Sequence, residues 1–205
     1  LHRLIRRQRQ MCIRDRMNSN GKGGLGGALK ALGRSITSGE SFFITKASAI
    51  GANGKISLAP ASLGSIKEIL VGQEQWNLNT GAFLVSEGGV HYIMERQKLD
   101  GALFGGTGGL FVMKTQGSGK MLISGYGDIV EIALDGTEDF VVDNQHVLAW
   151  TESLSYSIEV ASGTFGFKTG EGLVNKFRGK GKILIQSRNV EALAQSIIPF
   201  IPSKG

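Results

Sequence analysis

The residues of this chain that could do chemistry are few and scattered. Gly117-Ser118-Gly119-Lys120 carries the Gly-Lys pair of a phosphate-cradling loop. Such a loop needs a glycine five residues before that pair, and a Ser or Thr after the lysine to meet magnesium. Here Lys114 holds the earlier position and Met121 follows Lys120, so the segment reads as a structural turn between strands. Gly105-Gly106-Thr107-Gly108-Gly109 fails the dinucleotide spacing and reads as a connector. His91 and His146 lie far apart, with no cysteine or close acid at ligand spacing, and read as strand or turn residues. Without a well-placed histidine or a body cysteine, a nucleophilic dyad has nothing to work with. Ser86-Glu87 and Glu152-Ser153 read as turns. Asp135, Glu138, Asp139 and Asp143 offer oxygen ligands for a hard cation. The preferred reading of that stretch is a charged edge that resists pairing with foreign strands. The expectation is therefore a non-enzyme with no catalytic residues, no resident metal and no cofactor.

Binding is better represented than catalysis. Lys176, Arg178, Lys180 and Lys182 alternate along one expected hairpin, where a period of two puts their side chains on one face. They form a basic patch for phosphate or acidic partners, or else a solvated edge. Trp76 and Trp150 could stack on a base. Trp76 falls in register with Phe140, which argues for the core. Trp150 falls in register with Ser86, and it joins the four cations as a candidate interaction residue.

Those residues need elements to hold them, and the elements repeat. Gly54-Lys55-Ile56-Ser57-Leu58, Gly119-Lys120-Met121-Leu122-Ile123 and Gly181-Lys182-Ile183-Leu184-Ile185 read as one turn-plus-strand written three times. A fixed period of this length marks a repeated supersecondary unit. The predicted strands are Ser41–Thr45, Lys55–Pro60, Ser65–Val71, Gln75–Leu78, Gly81–Ser86, Val90–Gln97, Leu110–Thr115, Lys120–Gly125, Asp128–Leu134, Asp139–Val142, Gln145–Thr151, Leu154–Ala161, Gly172–Phe177 and Lys182–Ser187. Gly117–Gly119 and Gly179–Gly181 read as hairpin turns. Short helices are expected at Leu25, Ala28, Leu29 and Leu32, at Ala102–Phe104, and from Asn189 to Pro199. Within Asp128–Leu134, Val130, Ile132 and Leu134 share the expected core side. The units run about 17–97, 98–162 and 163–205. They make about two and a half repeats in one domain, with a half-unit missing at the N-terminus.

Residues 1–16 differ from the rest: six arginines, one acid and the single cysteine. Met11-Cys12-Ile13-Arg14-Asp15-Arg16 matches an in-frame translation of a transposase sequencing adapter, so this segment reads as a disordered cloning artefact. The whole chain carries net charge +6, whereas the body without this arm has 17 basic and 16 acidic side chains. A near-neutral body lacks the electrostatic footprint of a nucleic-acid protein. It also has no cysteine for a disulfide framework or a metal site. No apolar run reaches the length of a membrane helix.

With these units placed, residues 17–205 resemble the AIM (altered inheritance of mitochondria) family in its bacterial form. The carrying segments are Gly39-Glu40-Ser41-Phe42-Phe43, Leu103-Phe104-Gly105-Gly106-Thr107-Gly108-Gly109-Leu110-Phe111, the Gly-x-Gly-Lys turns, and Asp143-Asn144-Gln145-His146-Val147-Leu148-Ala149-Trp150. The resemblance implies an all-β, pseudo-threefold arrangement of antiparallel sheets related to the trp RNA-binding attenuation protein (a TRAP-like prism or sandwich), with short connector helices and a C-terminal helix. It also implies further strands before the first glycine-rich helix. The expected function is a non-enzymatic scaffold that binds proteins or itself, linked to membrane or organelle organisation, with membrane association only indirect. The alternative is a single-stranded RNA-binding module; DNA is not an expected partner. The expected location is the bacterial cytoplasm, or the mitochondrion for a eukaryotic source.

Overall fold

The computed structural model describes residues 16–19, 43–49, 54–60, 62–96, 111–160 and 173–201. The chain divides into two compact units, Leu1–Ala59 with Gly106–Gly108, and Pro60–Gly105 with Gly109–Gly205. In the first unit β1 (Arg16–Ser19) pairs antiparallel with β2 (Phe43–Lys46), Arg16 opposite Lys46 and Ser19 opposite Phe43. The expected helix at Leu25–Leu32 and the connector with its turn at Ala102–Phe104 lie outside the described residues.

The expected strand Lys55–Pro60 does not form: residues 54–60 are irregular, and Ile56 is 57% exposed. A strand holds only when its backbone donors and acceptors are paired. The two later copies of the cassette each lie between two other strands, whereas none of the described ladders includes residues 54–60.

Among the described residues the second unit has twelve strands. They are β3 (Ile66–Val71), β4 (Trp76–Asn79), β5 (Phe83–Ser86), β6 (Val90–Arg96), β7 (Phe111–Gly117), β8 (Gly119–Ser124), β9 (Ile129–Asp135), β10 (Phe140–Asp143), β11 (Val147–Thr151), β12 (Ser155–Val160), β13 (Leu173–Arg178) and β14 (Lys180–Gln186). Helix α1 (Val190–Ile197) follows, capped by Asn189, whose side chain accepts from the Ala192 N–H at 2.7 Å. The fold is all-β, as the period-two patterning required.

These described strands form three antiparallel sheets, with strand orders β3-β8-β5, β6-β7-β4-β11-β14-β9 and β10-β13-β12. The strands β3 to β8 recur in the same order as β9 to β14, their starts 61 to 65 residues apart. Their partners recur too: β3-β8-β5 corresponds to β9-β14-β11, and β6-β7-β4 to β12-β13-β10. The six-stranded sheet joins one triplet of each kind along β4 and β11, with Leu78 opposite Ala149, Asn77 opposite Trp150 and Trp76 opposite Thr151. At equivalent places a side chain accepts from the N–H after the glycine. Glu87 accepts from Lys120 N–H at 2.9 Å, and Thr151 accepts from Lys182 N–H at 3.0 Å.

This topology corrects the two expected hairpins. β7 pairs with β4 and β6, while β8 pairs with β3 and β5, so the turn at Gly117–Gly119 carries the chain from one sheet to another. The turn at Gly179 does the same between β13 and β14. Alternation shows on β8, where Met121 and Ile123 are buried and Leu122 is half-buried. On β9, Ile132 and Leu134 turn inward as expected, but Val130 is 46% exposed.

One core cluster joins Val112 of β7 in the first half to Val147, Trp150, Leu154, Phe177 and Ile183 in the second, with Leu134, Phe140, Val142, Tyr156 and Ile185 packed around it. In the first half Ile69, Val71, Met121 and Ile123 are buried on β3 and β8. Trp76 is also buried, and its indole N–H donates to the Leu70 carbonyl at 3.1 Å.

Candidate interaction surface

The four cations singled out in the sequence do not share one hairpin face. Lys176 and Arg178 lie on β13 in the three-stranded sheet, and Lys180 and Lys182 lie on β14 in the six-stranded sheet. Three of them are already engaged. Asp139 receives both the Lys176 ammonium at 3.1 Å and the Arg178 guanidinium at 3.0 Å. Lys182 meets Glu74 at 2.8 Å, and Lys180 sits opposite Asp135 in the β14–β9 ladder. What looked like an unbalanced basic row is a set of charges matched by acids from distant parts of the chain.

Asp135 and Asp143 of the stretch 135–143 each have local work. The Thr137 hydroxyl donates to Asp135 at 2.6 Å and holds its carboxyl below the ordinary aspartate range. The Gln145 N–H donates to Asp143 at 2.8 Å at the entry of the 3-10 turn Asn144–His146. Among the described residues no three His, Cys, Asp or Glu side chains gather as a metal site.

Arg178, then Lys176, hold the Asp139 carboxyl below its usual value. A lowered folded pKa means that the carboxylate stabilises the fold above the unfolded value, and that this contribution disappears as pH falls through the folded one. Asp139→Asn is therefore expected to melt below the parent at neutral pH and together with it in acid. The gap should also shrink with added salt, because the groups are exposed. Thermal melts across pH check this; a gap that persists in acid contradicts it.

Trp150 presents no surface for binding. It is 0% exposed, with ring centres 4.7 Å from Tyr156 and 5.5 Å from Phe177, both edge-on. Among the described residues its indole N–H has no partner, and neither does the Oδ1 of Asn77, the residue directly opposite on β4. Trp76 is core, as its register with Phe140 required.

His146 has a structural role that its spacing did not disclose. Nδ1 lies 2.6 Å from the Gln186 carbonyl and Nε2 lies 3.1 Å from Asn189 Nδ2. Nδ1–H therefore donates to β14, and Nε2 accepts from the residue that caps α1. Gln145 and Glu191 add a second tie between the 3-10 turn and the helix. His146→Ala is expected to speed amide exchange across Val190–Ile197 while leaving β13 and β14 protected, at a loss of about 1 kcal/mol. Exchange read by mass spectrometry tests this; uniform loosening of the sheets contradicts it.

Comparison with known proteins places this geometry among relatives. A family model described as mitochondrial biogenesis AIM24 matches residues 4–188. An uncharacterized protein of Streptococcus pyogenes serotype M6 is 48% identical over 186 residues, which is 90% of this chain and 74% of that protein. The crystal structure of a protein from Streptococcus pyogenes superposes with a TM-score of 0.70 at 42% identity, covering 94% of this chain and 87% of that one.

Proposed function

This chain belongs to the mitochondrial biogenesis AIM24 family, and from that premise we propose that it is a non-enzymatic β scaffold that binds other protein segments or assembles with itself. The observation that supports this reading is the open edges of the sheets. Among the described residues, β5 and β10 each carry a ladder on one side only. An unpaired row of N–H and C=O groups is a template for another strand, and backbone pairing at such an edge is a common route of protein recognition. The charge pattern supports the same reading, because the cations that could have gripped a phosphate backbone are matched by Asp139 and Glu74. The family description, mitochondrial biogenesis, supports a part in organising membranes or organelles, and on this reading a bacterial-type member acts from the cytoplasm. No helix among the described residues is long and apolar enough to cross a membrane.

The deciding experiment titrates a labelled oligouridylate against the full chain at low and high salt, beside sedimentation velocity over a range of protein concentration. The scaffold reading expects no salt-sensitive RNA complex. An RNA complex that weakens steeply with salt, and is lost when Lys176, Arg178, Lys180 and Lys182 are changed to Ala, would replace it with the single-stranded RNA reading.

A further inference from the structure

Helix α1 is too short to stand alone. It has eight residues, none of them buried, and isolated helices below roughly 12–15 residues are marginal in water. Its order therefore depends on how its first turn is held. Among the described residues two polar ties join that turn to the body. One runs from Glu191 to the Gln145 side-chain amide, and the other from the capping residue Asn189 to His146.

The second tie is decided atom by atom. The Gln186 carbonyl can only accept, so His146 Nδ1 carries a proton. The Ala192 N–H can only donate, so the atom of Asn189 that caps the helix at 2.7 Å is its oxygen. Asn189 Nδ2 is thereby turned to His146 Nε2 at 3.1 Å, where it needs a lone pair. A second proton on the ring removes that lone pair. If the amide stays, Nδ2–H meets Nε2–H and the tie is lost. If the amide turns over, its oxygen serves the ring and the Ala192 N–H loses its cap. A doubly protonated His146 and a helix both capped and tied exclude each other.

The charged groups of the surrounding elements are occupied elsewhere. On α1, the two carboxylate oxygens of Glu191 take the side-chain amides of Gln145 and Gln195. On the 3-10 turn, Asp143 accepts from the Gln145 N–H. Between β14 and α1 the one cation is Arg188, whose aliphatic stem passes Gly127. On β13, which packs against the turn, Lys176 and Arg178 are held by Asp139. β14 presents the neutral Gln186, whose side chain bonds the Gln145 carbonyl and the Tyr126 N–H. Among the described residues none of these groups is bonded to Nε2, so Asn189 alone answers its protonation.

We propose that His146 and Asn189 form a proton-operated latch on α1. The neutral ring holds the capped helix in place. The doubly protonated ring releases it as an arm carrying the exposed apolar side chains Leu193, Ile197, Ile198 and Phe200. Histidine is the side chain that ordinarily changes charge between about pH 5 and 8. The latch is therefore closed above that range and opens as pH falls through it. This regulation is separate from the scaffold reading and does not depend on which partner the sheets take.

The test is nuclear magnetic resonance on the full chain between about pH 8 and about pH 5, where carboxylates ordinarily stay ionised. Amide order parameters across Val190–Ile197 are expected to fall from about 0.85 to below about 0.6 on acidification, while those of β14 hold. The fall should track the titration of the His146 ring itself, identified by the resonance that His146→Gln removes. His146→Gln should show no change in helix order over the same range. Asn189→Asp gives the sharper result. Its carboxylate caps a helix as well as asparagine does, and it accepts from Nε2–H, so acid should tighten α1 rather than loosen it. Helix order that stays constant while His146 titrates overturns the latch. So does acid loosening that persists in His146→Gln, or that keeps the parent's direction in Asn189→Asp. Loosening of β14 together with α1 overturns it as well, because that is acid unfolding of the domain.

Discussion

Trp150→Ala is expected to destabilise the fold by about 3–5 kcal/mol, the range for truncating a fully buried aromatic residue. In a chain of this size that lowers the midpoint of thermal unfolding by roughly 6–20 °C. The loss has two sources. The indole fills the centre of the cluster Val147, Leu154, Phe177 and Ile183, so its removal leaves a cavity that β11 and β14, paired through Trp150 and Ile183, cannot close by moving alone. The edge-on contacts with Tyr156 and Phe177 go as well. Trp150→Phe keeps most of the apolar bulk and gives up only an N–H that has no partner, so it should lose much less, about 1–2 kcal/mol. A calorimetric or denaturant series on the two variants decides the role of this residue. If Trp150 were a binding residue, Ala would leave the melting curve almost unchanged and remove only the interaction.

Trp150 also shows where the sequence stops being legible. Its register with Ser86 gave the core reading less support than Trp76 had, because a tryptophan standing where the other half has a serine can serve as an addition for function. The structure resolves this through a second exchange. Phe177 of β13 stands where β7 has Thr115, so both members of the contact are aromatic in the second half where the first half has Ser86 and Thr115. In the first half Thr115 instead donates to Gln75 Oε1 at 2.9 Å and accepts from the Trp76 N–H at 2.8 Å. A single position compared between repeats cannot reveal a pair that differs jointly across two sheets.

Strand positions were legible and strand partners were not. Period-two alternation and glycine-marked turns located every described strand of the second unit to within a few residues, because these signals are local. Pairing is not local. A Gly-x-Gly turn between two alternating runs looks alike whether the chain reverses within one sheet or crosses to the next. That ambiguity produced both expected hairpins and the expected row Lys176, Arg178, Lys180 and Lys182 on one face. The acids that match those cations, Asp139 and Glu74, lie 37 and 108 residues from Lys176 and Lys182, beyond any window in which charge patterning can be read. That β5 and β10 pair on one side only among the described residues was invisible for the same reason, since an edge is defined by pairing across long separations.

Gly117→Ala tests the crossing itself and is expected to destabilise by about 2–5 kcal/mol. Two effects act together. The backbone at Gly117 has φ +83°, a left-handed conformation that disfavours an L side chain by roughly 1–2 kcal/mol. A Cβ there would also stand within overlap distance of the Gly89 carbonyl oxygen. That carbonyl accepts from the Ser118 N–H at 3.2 Å, so relieving the overlap pulls apart the bond that fastens the turn to β6. A forced contact of this kind adds roughly 1–3 kcal/mol. Gly88→Ala is the control, because nothing lies near the Cβ it would add, and it should be close to neutral. Chemical denaturation of the two variants separates the accounts of the Gly-Lys turn. A phosphate-cradling loop would lose ligand affinity with its stability nearly intact. A sheet-to-sheet crossing loses stability whether or not any phosphate is present, because the strain sits where β7 leaves one sheet and β8 enters the other.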